Sequence, residues 1–325
     1  MRKGVGVKMP PIYEVKNLEK TYKKGKVKAN KNISFTVNKG EILGVFGPNG
    51  AGKSTLIKQM VGHIRPTKGD IWFRGNRLFE QTARVAEQVA YYAQEPYAME
   101  KLKVSEAIKF TGRLRGMTKA DADEAGEWLI ERLKLTNVRH KLLRRVSGGQ
   151  KRLVGIAAAL IGHMEVLILD EPTNELDPEN RRLVWNLILE SNKERGVTVL
   201  LVTHNVLEAE QVVDRVMMVD KGELLAIDTV GNLKNMVDQR LRIEVTSAFG
   251  KRKVAEDWLR RRGEIEVVSE NRFRLFIDKQ QAGETVQEMV ENSEQMACEE
   301  YKLLPPSLED VYFHLGGREG FEHGK

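Results

Sequence analysis

Three observations in the sequence predict an α/β fold around a mostly parallel sheet. The runs Ile42–Phe46, Val166–Leu169 and Val197–Val202 are almost wholly apolar. Strands that read this way are buried on both faces, as parallel strands covered by helices are. Each run leads into residues with chemistry to offer: Gly47, then Asp170-Glu171, then Thr203-His204. The first continues as Gly47-Pro48-Asn49-Gly50-Ala51-Gly52-Lys53-Ser54, and Thr55-Leu56-Ile57-Lys58-Gln59-Met60 can then start a helix. Gly, four residues, then Gly-Lys-Ser is the P-loop pattern, set here between a strand and a helix N-terminus. Without Cβ atoms in the way, backbone N–H groups can curl around phosphate oxygens. The helix end adds unpaired donors and a partial positive charge. Lys53 can reach the β- and γ-phosphates, and the Ser54 hydroxyl can hold Mg²⁺.

Residues 12–37 read as strands, because Ile33, Phe35 and Val37 alternate with polar neighbours in the period of a half-buried antiparallel strand. Tyr22 falls in the turn-like Thr21-Tyr22-Lys23-Lys24-Gly25, where an aromatic ring can stack on a base or pack on the sheet. Beyond the P-loop helix, Pro66-Thr67-Lys68-Gly69 reads as a turn and Ile71–Phe73 as a short strand. Val89–Ala93 reads as another, ending at Gln94-Glu95-Pro96. Two helices follow, with Val104, Ile108, Thr111 and Leu114 on one apolar face and Trp128, Leu129 and Leu133 on the other. Gly116-Met117-Thr118 separates them.

Val146-Ser147-Gly148-Gly149-Gln150 opens a helix rich in Ala and Leu. Ser-Gly-Gly at a helix start is a second anion-binding geometry, with bare N–H groups and a hydroxyl. At the end of the second buried strand, Asp170 can join a Mg²⁺ shell and Glu171 can orient or deprotonate a water. Asp177-Pro178 supplies an N-cap and an N1 proline to a helix whose apolar face is Leu183, Val184, Leu187 and Ile188. A lone His is usually structural, but His204 ends a strand in register with Asp170 and Glu171, which suits a γ-phosphate contact. Val216–Val219 and Lys221-Gly222-Glu223-Leu224 read as a closing hairpin, and Gly231–Asp238 as a short helix or linker.

From about Arg240 the pattern changes to β-α-β-α without a phosphate motif, the mark of a small α+β domain over 240–315. Its strands carry Leu241, Ile243 and Val245, then Phe273, Leu275 and Ile277; its helices span Lys251–Arg262 and Ala282–Asn292. The stretch Gly316–Lys325 reads as a frayed end.

At 325 residues the chain can build two domains. Its longest apolar run, Leu153–Gly162, is about half of what a membrane-spanning helix needs. No apolar segment follows Met1-Arg2-Lys3 to make a secretory signal, and the single Cys298 excludes an internal disulfide, so a cytoplasmic protein with an inert, buried thiol is expected. The formal net charge is +7. Arg260-Arg261-Arg262 closes a helix, where cations complement the dipole, and no aromatics are interleaved for base stacking; no nucleic acid is expected.

Five motifs together resemble the ATP-binding subunit of an ABC transporter, in order and in spacing. Gly47–Ser54 is similar to its Walker A, Gln94 to the Q-loop glutamine, and Ser147-Gly148-Gly149-Gln150 to the signature. Val166–Glu171 is similar to Walker B and His204 to the switch histidine, while Asp177 resembles the D-loop aspartate and Tyr22 the adenine-stacking aromatic. The resemblance covers roughly 12–235 and implies a P-loop ABC cassette: a mostly parallel core sheet, an antiparallel β subdomain and a helical insert at about 96–146. The tail Pro306-Ser307-Leu308-Glu309-Asp310-Val311-Tyr312 resembles that of the daunorubicin-resistance-type exporter ATPases, which carry a C-terminal domain of similar length. Two positions depart from the pattern: Val146 stands for the usual Leu before the signature, and Glu175 for the usual Gly of the D-loop.

The resemblance implies an ATPase using ATP and Mg²⁺. Nucleotide would lie on Tyr22, Gly47, Pro48, Asn49, Gly50, Ala51, Gly52, Lys53, Ser54 and Thr55. A second chain's Ser147, Gly148, Gly149, Gln150 and Asp177 would complete the site. Ser54, Gln94 and Asp170 would hold the metal; Glu171, His204 and Lys53 would carry the catalysis. It further implies a homodimer or a paralogous ATPase partner, an integral-membrane permease, and a place on the cytoplasmic face of the membrane. A soluble ABC ATPase of translation or DNA repair usually carries two cassettes or a long coiled coil, and neither is seen. An importer ATPase with a regulatory tail is disfavoured by Pro305-Pro306-Ser307, and a dead cassette by intact Lys53, Asp170, Glu171 and His204.

Overall fold

A computed structural model describes residues 10–22, 25–93, 99–204, 206–292 and 295–316. The chain divides into two compact units, one up to Val230 and one from Gly231 on. The first contains β1 (Tyr13–Tyr22), β2 (Val27–Val37), β3 (Ile42–Phe46), α1 (Lys53–Met60), β4 (Lys68–Phe73), β5 (Asn76–Arg77), α2 (Thr82–Gln88) and β6 (Val89–Tyr92). It continues with α3 (Val104–Leu114), α4 (Lys119–Arg132), α5 (Gly148–Leu160), β7 (Val166–Asp170), α6 (Pro178–Arg195), β8 (Thr198–Val202), α7 (Val206–Ala209), β9 (Arg215–Asp220) and β10 (Glu223–Thr229).

The core sheet runs β10-β9-β3-β8-β7-β6, parallel throughout except for β10 against β9. Its buried strands β3, β7 and β8 have no exposed position, as their continuous apolar sequences require. A second, antiparallel sheet runs β2-β1-β4-β5. One apolar cluster joins the two sheets around α1, through Leu18, Ile33, Leu56, Ile57, Met60, Ile168 and Leu200. The Tyr13 hydroxyl, in that cluster, donates to Met60 O at 3.2 Å and ties β1 to the end of α1.

Several expectations are corrected at element level. Tyr22 is not in a turn: it is the last residue of β1, paired with Val27. Lys68 and Gly69 begin β4 instead of ending a turn. Leu114, 72% exposed, and Trp128, 45% exposed, lie outside the core that Val104, Ile108, Leu129 and Leu133 enter. Leu114 is the last residue of α3, and Trp128 has Arg132 5.5 Å from its ring centre, so both sit at the edge of the apolar stripe. The segment Thr82–Gln88, unassigned by the pattern, is α2, which buries only Val85 and so carries no periodic signal.

The second unit starts with α8 (Val230–Lys234), whose first residue belongs to the first unit. It then has β11 (Leu241–Ser247), α9 (Arg252–Arg260), β12 (Glu264–Ser269), β13 (Arg272–Ile277), α10 (Ala282–Glu291), β14 (Cys298–Leu304) and α11 (Leu308–His314). The expected β-α-β-α order is therefore incomplete, because β12 and β14 were not foreseen. Both are edge strands whose residues are mostly exposed, so neither shows a clean alternation. The sheet order β12-β13-β11-β14, all antiparallel, is that of a split βαβ fold. Ile243, Val245, Leu259, Phe273, Leu275, Ile277 and Met289 form its core. Arg262 stacks 3.4 Å from the Trp258 ring centre and donates to Glu288, so the basic helix end is used internally. Cys298 is half-buried, not buried as expected, and burial pushes its thiol pKa up.

Candidate nucleotide site

The site is assembled by sheet order. Strand β8 lies between β3 and β7, so the loops after all three emerge side by side at one end of the sheet. The loop after β3 is shaped by two glycines. Gly47 has φ 156°, and a Cβ there would fall 2.1 Å from Val219 O at the tip of β9. Gly52, the N-cap of α1, has φ 101°, and a Cβ there would fall 2.2 Å from Ala29 O. No L side chain fits either place.

Lys53 starts α1 and is buried beneath the loop. Its Nζ donates to Gly47 O at 2.5 Å and to Pro48 O at 3.0 Å. Burial lowers its pKa, and the carboxylates of Glu171 and Asp170 partly restore it. Asp170 ends β7 and is 4% exposed. Burial raises its carboxyl pKa, a hydrogen bond from Ser54 opposes this, and the charge of Glu171 adds to it. The Tyr91 hydroxyl also donates to Asp170, and burial first, then the Asp170 charge, raises the pKa of that phenol.

Glu171 is buried and has φ 52°, the left-handed region, which is costly for a residue with a Cβ. Its N–H donates to Val202 O at 2.9 Å, which fixes the turn against β8. One carboxylate oxygen, Oε1, lies 2.9 Å from His204 Nδ1. The other, Oε2, is buried with no partner. Glu171 and Asp170 form the floor of a cleft of about 260 Å³. Its walls are the loop residues 49–55 and, on the opposite side, Val27, Lys28 and Ala29 of β2.

These residues fit a nucleoside triphosphate with a hard cation. The two glycines leave space that a Cβ would fill, the lysine brings a positive charge, and Ser54 and Asp170 are oxygen donors. Magnesium is typically held by one or two protein oxygens with phosphates and water completing its shell.

Ser147–Gln150 and Asp177 do not line this cleft. Ser147 caps α5: its Oγ accepts from Gln150 N at 3.3 Å, and its own N–H donates to Gln150 Oε1 at 3.1 Å. Ser147 and Gly148 are exposed and Gly149 is half-buried; none lines the cleft. Asp177 caps α6 through Asn180 N at 2.9 Å, and this backbone bond holds its carboxyl below the usual range. Glu175 has φ 60° and accepts from Arg152 at 2.9 Å, while the same guanidinium donates to Glu171 O at 3.2 Å. Tyr22 is 38% exposed beside the cleft residue Val27, with Lys20 Nζ 5.2 Å from its ring centre. Gln94 lies outside the described residues.

The sequence reading missed the β2 wall, Tyr91 and a buried amide pair. Asn30 Nδ2 donates to Gly52 O at 3.2 Å, and Gln59 Nε2 donates to Asn30 Oδ1 at 2.8 Å. Asn30 is buried although it is out of phase with Ile33, Phe35 and Val37, because β1 and β2 change register between Ile33 and Asn30. A strict alternation hides such a residue.

A sequence family described as ABC transporter matches residues 30–174. The chain is 34% identical to the doxorubicin resistance ATP-binding protein DrrA of Mycobacterium tuberculosis, over 68% of this chain and 66% of the relative. It is 35% identical to the linearmycin resistance ATP-binding protein LnrL of Bacillus subtilis, over 68% of this chain and 70% of the relative. Among solved structures, an ATP-binding subunit of an ABC transporter superposes with a TM-score of 0.63 and 27% identity, covering 69% of this chain and 92% of that one.

Proposed function

The chain belongs to the ABC transporter ATP-binding family, and we propose that it is the ATP-hydrolysing subunit of an exporter. The observation that carries the reading is the buried Glu171 carboxylate beside the P-loop cleft, with one oxygen on His204 and the other without a partner. A carboxylate so placed can accept a proton from an attacking water. His204 fixes its orientation and faces the same end of the sheet. Lys53 neutralises the β- and γ-phosphate oxygens, and the loop N–H groups hold them in place. Ser54 and Asp170, with Gln94, would hold Mg²⁺, which supplies positive charge where the phosphoryl group leaves. Tyr22 would stack on the adenine.

Export is supported by the two relatives named for resistance to doxorubicin and linearmycin. Among the described residues no helix is long and apolar enough to cross a membrane. A membrane permease would bind this chain at the cytoplasmic face. Ser147–Gln150 and Asp177, which do not line the chain's own cleft, would complete the site of a second copy or a paralogue. The test is Glu171→Gln, which keeps shape and hydrogen bonding but removes the base. The purified variant should bind ATP with little turnover; hydrolysis at the wild-type rate would overturn the assignment.

A further inference from the structure

The sheet of the second unit carries an alternating row of charges that stops at an open edge. Glu266 on β12 faces Arg274 on β13, Arg274 faces Glu244 on β11, and Glu244 faces Lys302 on β14. The inner members are bonded: Arg274 donates to Glu244 at 2.7 Å and to Glu266 at 3.0 Å. The row therefore reads minus, plus, minus, plus, and ends on the lysine. Among the described residues Lys302 makes one ion pair, with Glu300 of its own strand at 3.0 Å, and the two side chains are 60% and 55% exposed. Among the described residues β14 pairs with β11 alone. On its other face Tyr301 and Leu303 are exposed.

We propose that the free edge of β14 pairs antiparallel with β14 of a second copy, centred on Tyr301. This register sets Glu300 opposite Lys302 of the partner copy, twice by symmetry, and continues the charge row across the junction. It also covers Tyr301 with Tyr301. Charged residues on an edge commonly block pairing, so the register decides the sign. Sliding by two residues one way sets Glu300 against Glu300, and the other way Lys302 against Lys302. Sliding by one turns one sheet over and puts the helix-covered face against the charged face. Only the register centred on Tyr301 matches opposite charges on a continuous sheet. The contact is isologous, as a two-fold dimer requires. It lies outside the ATP cleft and does not rest on the function proposed for that cleft.

The test uses the full chain without nucleotide, in a Cys298→Ser background with Tyr301→Cys as its sole cysteine. Directly opposed residues have Cα atoms about 4.5–5.5 Å apart, inside the span of a disulfide. Mild oxidation should give a covalent dimer, whereas Val267→Cys in the same background, on the other edge strand β12, should give none. Adding Lys302→Glu to the Tyr301→Cys chain should slow its cross-linking about tenfold, since two attractive pairs become repulsive. Exchanging both charges, Glu300→Lys with Lys302→Glu, should restore the parent rate. Thermal unfolding by circular dichroism shows that each variant is folded. Equal cross-linking through positions 301 and 267, no effect of Lys302→Glu, or no rescue by the exchange in folded protein would overturn the proposal.

Discussion

Replacing Asn30 by Ala removes the buried amide that joins β2, the P-loop and α1. Two hydrogen bonds disappear, Asn30 Nδ2 to Gly52 O and Gln59 Nε2 to Asn30 Oδ1. Neither partner is left wholly bare: Gly52 O still accepts Leu56 N at 3.0 Å, and Gln59 Nε2 still donates to Thr55 O at 3.2 Å. Two net hydrogen bonds are worth about 1–3 kcal/mol, and the small cavity adds about 1 kcal/mol. Loss of about 2–4 kcal/mol in a unit of this size lowers its Tm by roughly 4–16 °C. The amide also pins the carbonyl at the N-cap of α1, so the phosphate-binding loop should relax and ATP affinity should fall about tenfold, or 1.4 kcal/mol. Differential scanning calorimetry and ATP titration on the full chain measure the two effects. An unchanged first transition with unchanged affinity would refute the claim that this amide supports the loop.

Gly52→Ala puts a side chain at a left-handed φ and within 2.2 Å of Ala29 O; backbone strain of about 1–2 kcal/mol and overpacking of about 1–3 kcal/mol should abolish ATP binding, and a wild-type urea midpoint would contradict this. Tyr22→Ala should weaken ATP binding by about 1–3 kcal/mol if the ring stacks on a base, and unchanged affinity by calorimetry would return Tyr22 to packing on its strand. Asp310 sits with Arg242 and caps α11 at Ser307; burial raises its pKa, but the bonds from Arg242 and Ser307 outweigh it, and the net shift is downward. Its stabilisation is therefore complete above the unfolded carboxyl pKa and is lost as pH falls through the depressed folded value. Asp310→Ala should cost the second unit about 2–4 kcal/mol at pH 7, and the gap to wild type should close on acidification. A gap independent of pH would sink the ion-pair account.

The parallel core was legible because burial on both faces leaves an unambiguous mark. Ile42–Phe46, Val166–Leu169 and Val197–Val202 became β3, β7 and β8 with little change of boundary. Edge strands were not legible, for the converse reason. β12 and β14 are solvated along most of their length, so selection for a core leaves no period in Glu264–Ser269 or Cys298–Leu304. The helix caps were readable because their chemistry is local: Ser147 with Gln150, and Asp177 with Asn180, bond three residues apart.

The site itself divides along the same line between local and long-range causes. Lys53 and Ser54 are placed by a loop whose pattern is contiguous, and that pattern can be read directly. Glu171 is different: its neighbour Asp170 marks a strand end, but nothing in the sequence shows that its backbone is left-handed. That conformation is set by β8, whose Val202 carbonyl takes the Glu171 N–H. The turn aims the carboxylate at His204, which stands thirty-three positions later in the chain and leaves from β8 itself. One strand thus supplies both the constraint that bends Glu171 and the histidine that receives it. Shortening or shifting β8 would disturb the proposed base and its partner together, and it would also reach β3, which pairs with β8 over Ile42–Val45. The proposed phosphate contacts and the proposed base leave from different strands, and Glu171→Gln is expected to hold ATP without cleaving it.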